Sequence, residues 1–331
     1  MKATAKFYRQ VVQAGFALFI LWIGFRFWEF VRYFDTGGKT APVPHPSGAE
    51  GFLPIGALTG VKYWMQTGTI HYAHPAAVII FAGALAVSLV FHKSFCGWIC
   101  PVGFVSDNLY KPWFKIFKKN VEPPMWVDWG LRTLKYVLAF FFVWAIIVNM
   151  DAAGVLKFLE DDYWKVADVK MLRFFTNISM FALTVILILG ALSVPMRMFW
   201  CRYLCPYGAL TGLFGMLSPF RITRDKEKCI GCEKCRKHCP AHLPVDTADR
   251  IISPECTSCM TCVSVCPTAA VSSAMIGKKK RALPAWGYPL VVLGVFLGIY
   301  LVALATDNWH SKVTQQDYWR LVPKVEGLEH P

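Results

Sequence analysis

The sequence predicts a multi-pass α-helical membrane protein of five spans, built from duplicated helical hairpins, with a small α+β domain rich in cysteine placed before the last span. Three observations carry that prediction. Of the 331 residues 55% are hydrophobic and 15% aromatic, and mean hydropathy is positive, a make-up too apolar for an ordinary soluble domain. Long apolar runs recur along the chain. Between the last two of them lie ten of the twelve cysteines, eight of these in two runs of one spacing.

Five segments are long enough to cross a bilayer, for which about 20 mostly apolar residues are needed: 11–31, 74–92, 133–150, 174–194 and 285–305. Their connections are unequal in charge. Six Lys and Arg lie in 93–132 and fourteen in 196–283, more than in any other connection. Basic loops stay in the cytoplasm. The N-terminus and both of these loops are therefore expected inside a bacterial inner membrane, with the C-terminal tail in the periplasm. The boundaries that follow are 1–220 for the membrane domain, 221–277 for the cysteine-rich domain, 278–305 for the fifth span and 306–331 for the outer tail. A net charge of +14 raises the question of nucleic acid, but the basic residues sit between apolar segments with no helix-turn-helix or RNA-binding pattern. They read as orientation signals beside membrane lipid. No cleavable signal is expected, because the first apolar stretch carries Arg26 and Glu29 and lacks a small-residue cleavage site.

The 35–73 loop mixes Pro42, Pro44, Pro46 and Pro54 with Phe52, Leu53, Ile55, Leu58, Tyr63 and Trp64. That mixture suits an interfacial or re-entrant segment packed on the outer face. Glu160, Asp161 and Asp162 form an acidic stretch, read either as a solvated face or as a docking patch for a basic partner such as a c-type cytochrome.

The cysteine runs are Cys229-x2-Cys232-x2-Cys235-x3-Cys239-Pro240 and Cys256-x2-Cys259-x2-Cys262-x3-Cys266-Pro267. This is the two-cluster ferredoxin spacing. A compact loop wraps three corners of a 4Fe–4S cube, and the other run supplies the fourth thiolate. One cluster is then expected on Cys229, Cys232, Cys235 and Cys266, the other on Cys256, Cys259, Cys262 and Cys239. Structural zinc and a disulfide framework are the competing readings, and two identical runs each ending in Cys-Pro suit neither well. Thiols at ligand spacing belong in a reducing compartment, which again places this ferredoxin-like domain in the cytoplasm. Lys228, Lys234, Arg236, Lys237 and His238 crowd the first run, so its cluster is expected to have the higher potential of the two.

An internal repeat precedes these runs. Phe95-Cys96-Gly97-Trp98-Ile99-Cys100-Pro101-Val102-Gly103 is echoed by Trp200-Cys201-Arg202-Tyr203-Leu204-Cys205-Pro206-Tyr207-Gly208. Two such units entering from one side suggest hairpins related by a pseudo-two-fold along the membrane normal. On a helix, cysteines four apart share a face; the glycine past the proline suits a tight turn. Cys96, Cys100, Cys201 and Cys205 could hold a third iron–sulfur cluster, form a redox-active disulfide in each unit, or pack structurally.

With the Cys-Gly-Trp-Ile-Cys-Pro-Val-Gly and Cys-Arg-Tyr-Leu-Cys-Pro-Tyr-Gly pair followed by two ferredoxin runs, the chain resembles membrane polyferredoxins of the NapH, NosR and MauN type over about residues 50–305. The flavin-binding outer domain of NosR has no counterpart motif here. The resemblance implies a quinol dehydrogenase subunit that passes electrons between the quinone pool and other redox subunits, among them an outer c-type cytochrome and a cytoplasmic or membrane iron–sulfur subunit. Quinol chemistry needs proton acceptors near an apolar pocket. Arg26 and Glu29 on the first span, with His71 and His74 at the start of the second, are the candidates, against the plainer readings of snorkelling side chains and interfacial histidines. The alternative function is an assembly or maturation factor that reduces a metal or disulfide in a partner enzyme; a third is a structural anchor. No Cys-x-x-Cys-His, Walker or Rossmann motif is present, so covalent haem and nucleotide are not expected.

Overall fold

The computed structural model describes residues 2–117, 121, 123–275, 283, 284 and 286–329. The expected boundary at 277/278 and the basic run 278–281 lie outside the described residues. In chain order the helices are α1 (Lys2–Asp35), α2 (Pro54–Thr67), α3 (Pro75–Phe91), α4 (Ser94–Trp98), α5 (Pro101–Phe117), α6 (Met125–Val143), α7 (Ala152–Glu160), α8 (Asp162–Lys165), α9 (Ala167–Thr176), α10 (Met180–Ser193), α11 (Phe199–Tyr203) and α12 (Pro206–Gly215). Strand β1 (Phe220–Arg224), short helices α13 (Lys234–Lys237) and α14 (Thr261–Val265), and β2 (Val271–Met275) make the cysteine-rich insert. The apolar α15 (Gly287–Ala305) and α16 (Gln315–Leu321) follow.

Three stretches are long and apolar enough to cross a membrane: Ala5–Asp35, Met125–Asn149 and Gly287–Ala305. The other two expected spans differ. α3 has 17 residues, about 25 Å of helix, against a hydrocarbon core of about 30 Å. The segment expected at 174–194 is broken, with α9 and α10 meeting at 80°. The helix of the third expected span starts at Met125, eight residues before its apolar run, and its first turns bury Asp128 against Arg202 Nη2 at 2.8 Å, Tyr203 Oη at 2.6 Å and Arg132 Nη2 at 2.5 Å.

The chain divides into two compact units. The first comprises Met1–Ala17, Ala84–Ala139 and Ile186–Leu297. Its core joins Phe91, Phe95, Trp98, Tyr288 and Val292 to Ile222, Leu243, Ile251 and Val271 of the insert. β1 and β2 pair antiparallel, Phe220 opposite Met275 and Arg224 opposite Val271, and so tie together the two ends of the insert that carries both cysteine runs.

The second unit comprises Leu18–Gly83, Phe140–Val185 and Gly298–Pro331. Phe27, Phe30, Val31, Phe34, Val166, Val169, Tyr318 and Leu321 form its core. The Pro-rich 35–73 loop contains a 3₁₀ turn, Ser47–Phe52, and then α2, which starts on Pro54, where a missing N–H costs nothing, and stops on Gly68 at φ 74°. α2 buries Lys62, whose ammonium donates to the carbonyls of Ile146 at 2.9 Å and Ile147 at 3.0 Å and to that of Met150. Those carbonyls end the π-helical turn after α6, where the helix leaves acceptors without partners. The lysine satisfies them.

Candidate metal centres

The two cysteine runs fold alike. Left-handed backbone recurs at matching offsets: Gly231 (φ 69°) and Ser258 (φ 44°), Glu233 (φ 54°) and Met260 (φ 59°), His242 (φ 51°) and Ala269 (φ 53°). Five of these six are not glycine, and each such residue costs roughly 1–3 kcal/mol. Strain repeated at three equivalent positions marks a loop shaped around a ligand. The third cysteine of each run, Cys235 or Cys262, sits on a single helical turn, α13 or α14. The fourth accepts the amide of the residue four further on, Leu243 N to Cys239 Sγ at 3.5 Å and Ala270 N to Cys266 Sγ at 3.2 Å. His242-Leu243 thus takes the same backbone path as Ala269-Ala270 despite its different sequence.

Cys239, Cys256, Cys259 and Cys262 line one small cavity together with Ile222, Leu243, Val245 and Ile251. Three come from the second run and one from the first. Cys229 and Cys235 feel the charge of Cys266, the cross-pairing expected of the other set. All twelve cysteines are free thiols, and among the described residues no three His, Cys, Asp or Glu side chains converge on a single metal ion. Zinc would need sulfurs about 2.3 Å from one point. A four-thiol cage around an apolar-walled space instead fits a cube.

The duplicated Cys-x3-Cys-Pro units also share one backbone. Each has a five-residue helix, α4 or α11, then a break, then a helix opening on proline, α5 or α12. Ile99 N and Cys100 N both bond to Phe95 O at 3.0 Å; Leu204 N and Cys205 N both bond to Trp200 O at 3.0 Å. The second cysteine is therefore not on the helix of the first, as the four-residue spacing suggested, because a residue before proline is pushed out of helical backbone. Cys205 (φ −74°, ψ 106°) caps α12 instead, its sulfur accepting Gly208 N at 3.2 Å. Nor do the glycines make turns. Neither Gly103 nor Gly208 has positive φ. They allow close approach: a Cβ on Gly103 would lie 2.4 Å from Cys96 O.

Burial and neighbouring Cys96 push the Cys100 thiol up to about 12, and Cys201 is raised by burial and by Cys205, Cys100 and Cys96. Cys100, Cys201 and Cys205, whose ionisation burial and their cysteine neighbours oppose, form with Cys96 a set that a metal–sulfur core would satisfy. The insert rests directly on them. Trp98 Nε1 donates to Ser258 O at 3.1 Å, and a Cβ on Gly97 or Gly212 would come within 2.5 Å of Thr257 O or Pro254 O.

Charge around the insert differs from the expectation. Lys228, Lys237 and Arg236 are exposed and paired with Asp225 at 3.4 Å, Glu233 at 3.3 Å and Asp246 at 3.9 Å. Solvent and partners screen them. Two buried arginines stand by the other set. Arg9 and Arg197 bracket Asp107 at 3.2 and 2.6 Å, and although burial opposes ionisation of Cys259, these two guanidiniums lower its pKa. A cluster held by Cys239, Cys256, Cys259 and Cys262 would have its reduced form favoured by that buried charge. Sequence reading missed Arg9, Asp107 and Arg197 because they lie about 90 residues apart and share no motif.

The quinone candidates fall into separate pairs. Arg26 and Glu29 form a half-buried ion pair at 2.7 Å. His71 meets Glu160 at 3.2 Å, while His74 donates from Nε2 to Trp164 O at 2.7 Å and faces Glu50 at 3.6 Å. His45 and Asp168, 2.7 Å apart, form another buried pair that the sequence did not single out. The acidic stretch is engaged within the chain: Asp161 caps α8, Arg320 grips Asp162 at 2.8 Å, and Glu160 holds His71 and Tyr72.

Membrane-length helices, paired ferredoxin runs and a second duplicated cysteine set define a membrane-bound iron–sulfur electron-transfer protein. The 4Fe-4S binding domain family matches residues 73–124 and 176–224, and the 4Fe-4S dicluster domain family matches 221–267. Over 328 residues the chain is 38% identical to YccM of Escherichia coli K12, named for electron transport, an alignment covering 98% of this chain and 92% of that one. The ferredoxin-type protein NapH of Haemophilus influenzae is 28% identical over 58% of this chain and 67% of its own length. The methylamine utilization ferredoxin-type protein MauN of Methylorubrum extorquens is 28% identical over 57% and 61%. No solved structure matches the chain. The chain belongs to the NapH/NosR/MauN-type polyferredoxin family.

Proposed function

We propose that this chain is a five-span subunit of the bacterial inner membrane that passes electrons between the quinone pool and a partner redox protein. The ligand sets of this reading are Cys229, Cys232, Cys235 and Cys266; Cys256, Cys259, Cys262 and Cys239; and Cys96, Cys100, Cys201 and Cys205. Clusters bound there supply reversible one-electron transfer. The chain's own residues shape the loops, donate amides to the sulfurs and keep water from the buried thiols. His71 with Glu160 and His74 with Glu50 are the proposed proton acceptors for quinol. The ferredoxin-like domain 221–277 and the N-terminus face the cytoplasm, the tail faces the periplasm, and an outer c-type cytochrome and a further iron–sulfur subunit are the partner classes.

One observation carries the reading: loop 254–258 packs on both Cys-x3-Cys-Pro units, so the duplicated thiols adjoin the loop that bears Cys256. Contiguous redox sites are what electron relay requires. The test is quinol-dependent reduction of the insert clusters, followed by EPR in anaerobic full-length protein. Cys96→Ser with Cys201→Ser is expected to abolish it. Reduction that survives these changes while a partner enzyme fails to mature would overturn the relay in favour of a maturation factor.

A further inference from the structure

Lys93 is the least expected residue of the first unit. It is 2% exposed, at the N-terminus of α4 and three residues before Cys96. Its backbone is pinned: its amide donates to His92 Nδ1 at 3.0 Å, and a Cβ on Gly215 of the second repeat would lie 3.1 Å from that same nitrogen and from Lys93 N. Its ammonium reaches the duplicated cysteines. A Cβ built on Gly208 would stand 3.5 Å from Lys93 Nζ, 3.5 Å from Cys205 Sγ and 3.5 Å from Cys201 O, so ammonium and sulfur border one notch.

The nearby carboxylate is already engaged. Glu255, 6% exposed and adjacent in sequence to Cys256, accepts from Lys135 Nζ at 2.5 Å on Oε2 and from Tyr136 Oη at 2.6 Å on Oε1. Lys135 is itself fully buried. Lys135 and Tyr136 thus occupy that carboxylate, and among the described residues no Asp or Glu oxygen lies within 4.0 Å of Lys93 Nζ. An uncompensated ammonium in an apolar interior is strongly disfavoured. Neutral thiols bordering the same notch cannot offset that charge. An anionic iron–sulfur core held by the four sulfurs would supply the missing negative charge beside it.

We propose that Lys93 is the internal counter-ion of an anionic iron–sulfur centre held by Cys96, Cys100, Cys201 and Cys205, because the nearby Glu255 is already taken by Lys135 and Tyr136. The inference rests on the third ligand set of the proposed function and assigns it a positioning residue. A cation beside the centre favours its more negative, reduced form.

The test uses full-length protein purified anaerobically, with iron and acid-labile sulfide per chain and an EPR-monitored redox titration. Three cubes correspond to about twelve irons per chain. Lys93→Met is expected to lose about four, or to keep them with a reduced fraction at fixed potential about tenfold lower, which for one electron is about 59 mV. Lys93→Arg is expected to restore the wild-type values, and the signals of the two insert clusters, unchanged, show that the Met variant folds. Unchanged iron and midpoints in Lys93→Met overturn the proposal. So does recovery in Lys93→Met/Glu255→Gln, which would make Lys93 only the partner of Glu255. The companion variants Cys96→Ser and Cys201→Ser separate the two levels: iron loss there with none in Lys93→Met refutes the counter-ion alone, whereas no iron loss in either refutes the third centre itself.

Discussion

Replacing Arg197 by methionine removes one of two buried guanidiniums that bracket Asp107 while keeping the bulk of the side chain. In the native protein Arg9, Asp107 and Arg197, all about a tenth exposed or less, leave one net positive charge beside Cys259. The variant leaves none. At about 8 Å and an effective dielectric of about 20, a unit charge is worth roughly 2 kcal/mol. For a one-electron couple that is about 90 mV. An EPR-monitored titration of the anaerobic protein should therefore show one insert cluster falling by about that amount while the other holds. The shift should persist at 1 M salt, because the charge is buried and the Debye length there is about 3 Å. Neutralising Lys234 and Arg236 should instead move the first cluster only slightly, and less still in high salt. All midpoints unmoved in Arg197→Met, or an equal and salt-proof shift from the surface pair, would refute the ranking of buried over exposed charge.

Two further outcomes follow from the same unit. Gly97→Ala or Gly212→Ala forces a methyl group to within 2.5 Å of Thr257 O or Pro254 O, and should lower stability by about 1–3 kcal/mol with loss of bound iron; Gly190→Ala, with nothing within 4 Å, should stabilise α10 by up to about 1 kcal/mol. Thermal melts with iron analysis decide both. Burial would raise the pKa of Glu255, but Lys93 and Lys135 outweigh it and hold the carboxyl down at about 2. A depressed carboxylate contributes stability that is complete above its ordinary value of 4.5 and is lost as pH falls through about 2. The difference in melting temperature between wild type and Glu255→Gln should accordingly hold above pH 5 and close between about 4.5 and 2; a constant difference across that window would refute the network.

What the sequence reveals and hides divides along physical lines. That Cys256, Cys259 and Cys262 group together is readable from spacing, because residues held by one loop lie close in sequence, and Cys239 lines the same cavity. The apolar helices are readable from composition. The Arg9–Asp107–Arg197 and Lys93–Glu255–Lys135 networks are not, since each joins residues 90 or more apart that only the fold brings together. Local rules also misled. Gly103 and Gly208, read as turn residues, serve proximity instead. The run of basic residues around Cys235 looked potent as letters; exposure and ion pairs with Asp225, Glu233 and Asp246 blunt it. Five of the six left-handed positions carry side chains, so no glycine pattern announces them.

Gly97 and Gly212, one from each repeat, receive carbonyls from opposite ends of a four-residue stretch, Thr257 and Pro254. The insert is thus registered by main-chain atoms against two fixed points, as a plug with two pins is held by its socket. Side chains on that stretch can change without altering the alignment, whereas adding or deleting one residue between the pins would unseat the whole module. Exchange of such modules between relatives should accordingly tolerate divergent sequence and reject altered length at 254–257.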